Sequence, residues 1–404
     1  MDAILVVNAG SSSVKFRIYD VVGGDGLVEK INGQVDGIGV RPRMRADDGS
    51  GSQLIDQIYE ARSIPDVETA MRTAGAWLRD DQKLTFRAIG HRIVHGGPKY
   101  SKPTLIDETL LDELERYIPL APLHQPNNLA PIRILMQRFP DMPQVACFDT
   151  AFHRGHSDVA DRYAIPEELH AEGVRRYGFH GLSCEYVSQH LRVIAPGHAD
   201  GRLVIAHLGS GASMCAVAHG QSVESTMGFT ALDGLPMGTR CGQIDPGVLL
   251  YLLSEKGMSA KAVQDFLYKD CGLKGLSGVS NDVRELIESS EPSASLALDY
   301  FVYRIGLNAG MLAAALGGID SFVFTAGIGE RSAVMRQRIA NKLGWLGAEI
   351  DELANASGAI CISRPGSRLN LFVVLTNEEL MIARHTLAAI DKPNEAAAAF
   401  ARTA

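Results

Sequence analysis

Eight residues near the start of the chain, Asn8-Ala9-Gly10-Ser11-Ser12-Ser13-Val14-Lys15, carry the first groups able to do chemistry. A tight turn of Gly and Ser aims backbone N–H groups, and hydroxyls such as those of Ser11 and Ser13, at a phosphate. Lys15 adds a point charge, and the amide oxygen of Asn8 suits a hydrated Mg2+. The same residues also make an ordinary hairpin turn. A comparable turn, Gly209-Ser210-Gly211, follows His207-Leu208, and a third, Gly327-Ile328-Gly329-Glu330, follows Thr325-Ala326. Arg92 and Arg240 each follow a short apolar or Gly-rich segment. A guanidinium suits bidentate recognition of carboxylate or phosphate oxygens, although a surface ion pair is its commoner use. His180, inside Tyr177-Gly178-Phe179-His180-Gly181, offers an imidazole donor to a transferring group, or a structural hydrogen bond. Glu378 and Glu379 open a helical segment, where carboxylates hold a cation or favour the helix dipole.

The elements that must position these groups read as α/β. Ala3 to Val7 is a strand, Gly10 to Ser13 a turn and Val14 to Tyr19 a second strand, a hairpin and not the strand–loop–helix of a P-loop. Leu203 to Leu208, the Gly209 turn and Met214 to Ala218 repeat that plan. The likeness predicts two domains of related architecture facing each other, in line with 404 residues exceeding one ordinary core. Helical spacing runs from Pro65 to Leu78 and again from Glu378 to Ala389. Ala88 to Val94 and Val145 to Phe148 are short buried strands that deliver Arg92 and Asp149. Ser321 to Phe324 and Leu371 to Leu375 are two more. The predicted division is 1–150 and 151–379, with a C-terminal helix over 380–404 packing back on the first domain.

Composition narrows the function. A net charge of −8 and no basic stripe argue against nucleic acid and an anionic membrane surface. The start of the chain has no basic segment of a secretory signal. The longest apolar stretch, Ile305 to Ile319, falls short of the ~20 residues that a span needs and reads as a buried helix. Six cysteines without a C-x-x-C pair fit core thiols in a reducing cytoplasm.

The octapeptide at Asn8 resembles the first signature of the acetate kinase family, and His91-Arg92-Ile93-Val94-His95-Gly96-Gly97 resembles its second. Further matches follow in family order: Leu123-His124, Phe148 to His153, Tyr177 to Gly181, Met237 to Gly242, and Asn377 to Leu380. Together they run from residue 4 to about 385, which makes the set far more specific than any one motif. The resemblance implies two actin-like, ribonuclease H-like α/β domains around a nucleotide cleft. It implies phosphoryl transfer between ATP and acetate, giving ADP and acetyl phosphate, with Mg2+ (or Mn2+ in its place) and usually as a homodimer.

The resemblance also distributes roles. Arg240 stabilises the transition state and His180 hydrogen-bonds the transferring group. Arg92 binds the acyl substrate between apolar walls at Val94, Leu123 and Phe179. His207, Leu208, Gly209, Ser210 and Gly211 form a second phosphate loop beside Lys15, Ser11 and Ser13. Asp282, Val283, Arg284 and Gly327, Ile328, Gly329, Glu330, Arg331 hold base and ribose. Asn8 and Glu378 hold the metal, and His124 supports the site. The family assigns proton transfer to the match of Asp149. A carboxylate substrate is already ionised at pH 7, its pKa being roughly 4, so Asp149 is read here as orienting an arginine or the metal's waters.

Three positions depart from the family pattern: Ser210 and Arg331 stand where Asn is common, and Ala231 where Pro is common. A smaller residue at 231 makes room for one more methylene, so a propionate or butyrate kinase is the nearest rival. A non-catalytic ATP-binding module is another, which would have no need of Arg92, Arg240 and His180.

Overall fold

The structure, a computed structural model, describes residues 2–10, 13–24, 26–122 and 124–391. Ser11, Leu123 and the 392–404 part of the predicted C-terminal helix lie outside the described residues. The chain divides into two compact units, 1–151 with 377–404 and 152–376. The chain returns to the first unit at Asn377, slightly before the predicted boundary, so Glu378 shares a unit with Asn8 and Arg92.

The first unit is built on an eight-stranded sheet. Its strands are β1 (Ala3–Ala9), β2 (Ser13–Val22), β3 (Gly26–Asp36), β4 (Arg43–Asp48), β5 (Gln53–Ile58), β6 (Ala88–Ile93), β7 (Thr104–Leu105) and β8 (Gln144–Phe148). Their order is β5-β4-β3-β2-β1-β6-β8-β7. β1 pairs antiparallel with β2 across the Gly10 turn and parallel with β6, which pairs parallel with β8. The parallel strands end together, and their carboxyl ends carry Asn8, Arg92 and Asp149. Ligands of α/β sheets bind at that edge.

Side chains alternate along β1. Leu5, Val7 and Ala9 join a core with Ala70, Ala74, Trp77 and Leu78 of the helix Val67–Asp80 and Leu135 of the helix Gln125–Arg138. Asp66 caps the first of these helices, accepting from Thr69 N–H at 2.7 Å, worth about 1 kcal/mol. The helix Glu378–Asp391 packs on β1, β6 and β8. Its first residue is Glu378.

The second unit repeats the plan. β9 (Arg202–Leu208), β10 (Ala212–Ala218), β11 (Gln221–Ser225), β12 (Ser321–Thr325) and β13 (Asn370–Val373) lie in the order β11-β10-β9-β12-β13. β9 and β10 form the second hairpin, while β12 runs parallel to both β9 and β13. The order matches β3-β2-β1-β6-β8 strand for strand and sense for sense. The weak sequence likeness of the two hairpins therefore reflects one topology used twice, the predicted actin-like, ribonuclease H-like class. The helix Pro292–Leu316 contains most of the apolar stretch noted above and ends at Gly317 in the left-handed conformation. Among the described residues no helix is long and apolar enough to cross a membrane.

Candidate active site

At the edge of the first sheet, Arg92 projects from β6 and meets Asp149 just past β8. Nε to Oδ1 is 3.2 Å and Nη2 to Oδ2 is 2.5 Å, a bidentate pair. Asp149 is 1% exposed and Arg92 19%, and the bonds to Asp149 use Nε and Nη2 of the guanidinium. Burial alone would lower the Arg92 pKa, but Asp149 and Glu378 outweigh it and hold the cation firmly charged. Glu378 Oε2 lies 3.6 Å from Arg92 Nε. The Glu378 carboxyl is pushed up to about 7: burial raises it most, Asp149 and Glu379 add to this, and Arg92 and Lys15 pull it back.

Two buried amides lock this edge. Asn128 accepts from Val94 N–H at 3.0 Å and donates to the Ala9 carbonyl at 2.9 Å, tying the end of β1 to the segment after Arg92. Gln125 donates to the His95 carbonyl at 3.0 Å. Both follow His124 at the start of the helix Gln125–Arg138. Asn8 faces Lys15 across the hairpin, and Gly10 N–H donates to the Ser13 carbonyl at 2.8 Å. Val94 is buried in this unit.

In the second unit, His180 opens the helix Gly181–Ile194 with a left-handed backbone, φ 55°. Such a conformation costs a non-glycine residue about 1–3 kcal/mol and clusters at functional sites. The His180 ring stacks on His207, with centroids 4.1 Å apart and planes 9° apart. His180 Nδ1 is 2.8 Å from Ser213 Oγ, and His207 Nδ1 is 2.8 Å from Ser183 Oγ. A Cβ at Gly211 would lie 2.7 Å from Arg240 Nη2 and 3.2 Å from His180 Nε2, so a side chain there would push the end of Arg240 away. Arg240 Nη1 donates to the Ala231 carbonyl at 2.7 Å. Among the described residues no carboxylate lies within 4 Å of Arg240, and burial lowers its pKa. The arrangement is a half-buried cation, an imidazole and a glycine turn gathered around a place for an anion.

Beside that turn lies a cavity of about 350 Å³. Gly209, Ser210, Asp282, Val283, Arg284, Gly327, Ile328 and Arg331 line it, all predicted nucleotide residues. Met237, Gly238, Leu273, Asn281, Phe301 and Ser332 complete the wall. Three other predicted nucleotide residues are placed differently. Leu208 is buried in β9 and Gly329 beneath its helix. The third glycine turn is itself a helix, Ala326–Arg331, entered through Ala326 at φ 62°. Glu330 turns back, its Oε1 accepting from the N–H groups of Ala326 and Thr376 at 2.9 Å each, so it braces the cavity floor and does not line it. Phe179 is buried, its carbonyl 3.0 Å from His153 Nε2.

A profile of the acetokinase family matches residues 3–384. The chain belongs to the acetokinase family. A protein of Nitrobacter hamburgensis named acetate kinase is 63% identical over 387 residues, covering 96% of each chain. One of Rhizobium meliloti with the same name is 58% identical, covering 98% of this chain and all of its own. The crystal structure of a propionate kinase from Francisella tularensis matches with a TM-score of 0.88 and 37% identity, over 95% of this chain and 99% of that one. Acetate kinase of Porphyromonas gingivalis matches with a TM-score of 0.84 and 35% identity, over 97% of this chain and 100% of that one. Like other acetokinases, the chain is a phosphotransferase with a carboxyl group as acceptor and ATP or ADP as co-substrate.

Proposed function

We propose that this acetokinase phosphorylates acetate with ATP, reversibly, giving acetyl phosphate and ADP. The observation that carries the reading is Arg240, a half-buried guanidinium beside Gly211 and His180 with no carboxylate partner among the described residues. A transferring phosphoryl group would supply that missing charge. The transition state of such transfer spreads charge over the equatorial oxygens, and the protein's work is positioning and charge stabilisation.

In this reading an acetate oxygen attacks the γ-phosphorus in line. The new P–O bond forms as the bridging P–O bond breaks, and ADP leaves with its electron pair. Arg240 and His180 Nε2 donate to the transferring group, and Ser213 holds the imidazole by Nδ1. Arg92 receives the acetate carboxylate on the edge that Asp149 leaves open. The bidentate pair supports Asp149 as the group that orients Arg92; an ionised substrate gives it no proton to take. Lys15 and Ser13 of β2, and His207, Gly209, Ser210 and Gly211 at the second hairpin, attend the phosphates. The 350 Å³ cavity takes the adenosine, with Asp282 to Arg284 on one side and Gly327, Ile328 and Arg331 on another. Net retention at a chiral phosphorus would sink direct transfer.

Asn8 and Glu378 would hold Mg2+, with Mn2+ able to replace it. The donors fit: both offer oxygen, and Glu378 is part-buried near Asp149 and Glu379, where added positive charge is favourable. Among the described residues no cluster of three His, Cys, Asp or Glu side chains is arranged as a metal cage. Mg2+ held by one or two carboxylates, phosphates and water needs none. When bound it would neutralise charge between the phosphates.

The assembly we propose is a homodimer through the second unit. On the helix Pro292–Leu316, Leu296, Tyr300, Tyr303, Leu307 and Met311 recur at helical spacing and are all exposed, Leu296 by 62%. The apolar helix Pro246–Ser254 buries none of its residues, and Leu250 is 64% exposed. Apolar faces of this extent mark interaction surfaces. A cytoplasmic location follows from ATP as co-substrate. The test of the reading is ADP release that depends on added acetate and falls away in Arg240→Ala. ADP release indifferent to acetate would reject it. Comparing kcat/KM for formate, acetate, propionate and butyrate sets the acyl limit. One methylene is worth only about 1–3 kcal/mol, so propionate is expected to react more weakly than acetate but measurably.

A further inference from the structure

The first unit holds another cavity, of about 270 Å³, away from Asn8, Arg92 and Asp149. It lies between the sheet and the helices Val67–Asp80 and Gln125–Arg138. Leu5, Val7, Phe16, Leu78 and Leu135 form its apolar walls. Its lining includes three arginines, Arg72, Arg79 and Arg138, all exposed, and no carboxylate. Arg79 is paired with Asp80. Among the described residues no carboxylate lies within 4 Å of Arg72 or Arg138. Arg72 and Arg138 act on Asp66 and Asp80 only through longer-range attraction, at opposite ends of the helix Val67–Asp80.

Gly75 adds a separate observation. It sits inside the helix Val67–Asp80 and lines the cavity. A Cβ there would meet nothing within 4 Å, and its φ lies outside the left-handed range. Glycine is a poor helix former, and here it avoids no clash. Its structural consequence is the open space beneath it.

We propose that this cavity binds a medium-chain carboxylate, an unbranched alkyl tail ending in one anionic group. The tail fills the apolar interior, where burial of each methylene is favourable. The carboxylate stays at the mouth, bonded to one of the two guanidinium groups, Arg72 or Arg138, by charge-assisted hydrogen bonds. An apolar pocket with a few placed polar groups is the usual form of a small-molecule site. The proposal stands apart from the kinase reading, since none of these residues has a role in it.

The test is calorimetric titration of the full chain with octanoate, with acetate saturating so that Arg92 is occupied. One saturable site per chain is expected. 1-Octanol, which lacks the charge, should bind about tenfold more weakly or worse, the scale of a charge-assisted hydrogen bond. Gly75→Leu should fill the cavity and abolish binding while the thermal unfolding transition is retained. The surface double variant Arg72→Gln/Arg138→Gln should lose about tenfold or more, and it decides the matter alone if Gly75→Leu fails to fold. No saturable octanoate site, equal affinity for octanol, or unchanged affinity in the folded Gly75→Leu variant or the double variant would overturn the proposal.

Discussion

Arg240 and Arg92 are both part-buried guanidinium groups, but their surroundings set them different tasks. Arg92 is already matched to Asp149 and sits near Glu378, so its guanidinium is held in a fixed orientation. Arg240 donates to the Ala231 carbonyl, with Tyr268 and the imidazole of His180 nearby and no carboxylate within 4 Å among the described residues, so its charge is available to whatever anion reaches Gly211. Arg240→Ala is therefore expected to lower kcat by roughly 10²–10³-fold, the usual loss for one transition-state donor. KM for acetate should change little, and steady-state kinetics separates the two. Asp149→Asn keeps the shape but removes the carboxylate charge and one of the two acceptor oxygens that face Arg92. It should reduce kcat/KM for acetate about tenfold or more while leaving the pH profile unshifted; a shifted profile would restore proton transfer to Asp149. The chemistry-bearing side chains were legible in the sequence because each stands in a motif of several residues. Asn128 was not, because the backbone groups it joins are Val94 and Ala9, the latter 119 residues away, and only the folded sheet puts them together.

The elements are held by groups outside the reacting centre. Glu330 joins the loop after β12 to the loop after β13 through Ala326 and Thr376, a charged acceptor on two backbone donors. Glu330→Ala should cost about 1.5–3 kcal/mol of stability and raise KM for ADP, measured by thermal unfolding and nucleotide titration. In β6, His91 is buried with Nε2 2.7 Å from Gln144 Oε1. Burial lowers its pKa from 6.5 to about 4, and the bond to Gln144 offsets this only in part. The unfolded chain takes up that proton first. Stability is therefore fully present above about pH 6.5 and falls as pH drops towards 4, by up to about 3 kcal/mol. The urea midpoint of His91→Asn should depend less on pH across that interval. Both hairpins and the site-bearing strands could be read from apolar runs ended by polar or glycine residues. The helix Ala326–Arg331 could not, because two glycines read as a turn and the left-handed entry at Ala326 is imposed by the bonds to Glu330.

Across the whole molecule, one strand order serves twice, and each copy delivers a glycine turn at the carboxyl end of its central strand. The first unit holds Asn8, Arg92, Asp149 and Glu378; the second holds His180, Gly211, Arg240 and the 350 Å³ cavity. The duplication was visible in the sequence only as two similar hairpins. The order of the parallel strands was not, since it depends on pairing between segments more than 100 residues apart, as in β9 with β12. The exposed apolar faces around Leu250 and Tyr303 carry the expectation for assembly. Leu250→Asp with Tyr303→Asp should shift the sedimenting species from dimer to monomer; a wild-type monomer would reject that part of the reading. The most direct measurement of the central claim is trapping with hydroxylamine in the presence of ATP, Mg2+ and acetate. Acetyl hydroxamate should accumulate with the wild-type chain and fall to near background in folded Arg240→Ala. Absence of any acyl hydroxamate from formate to butyrate, with ATP bound, would contradict a carboxylate kinase and leave a nucleotide-binding module in its place.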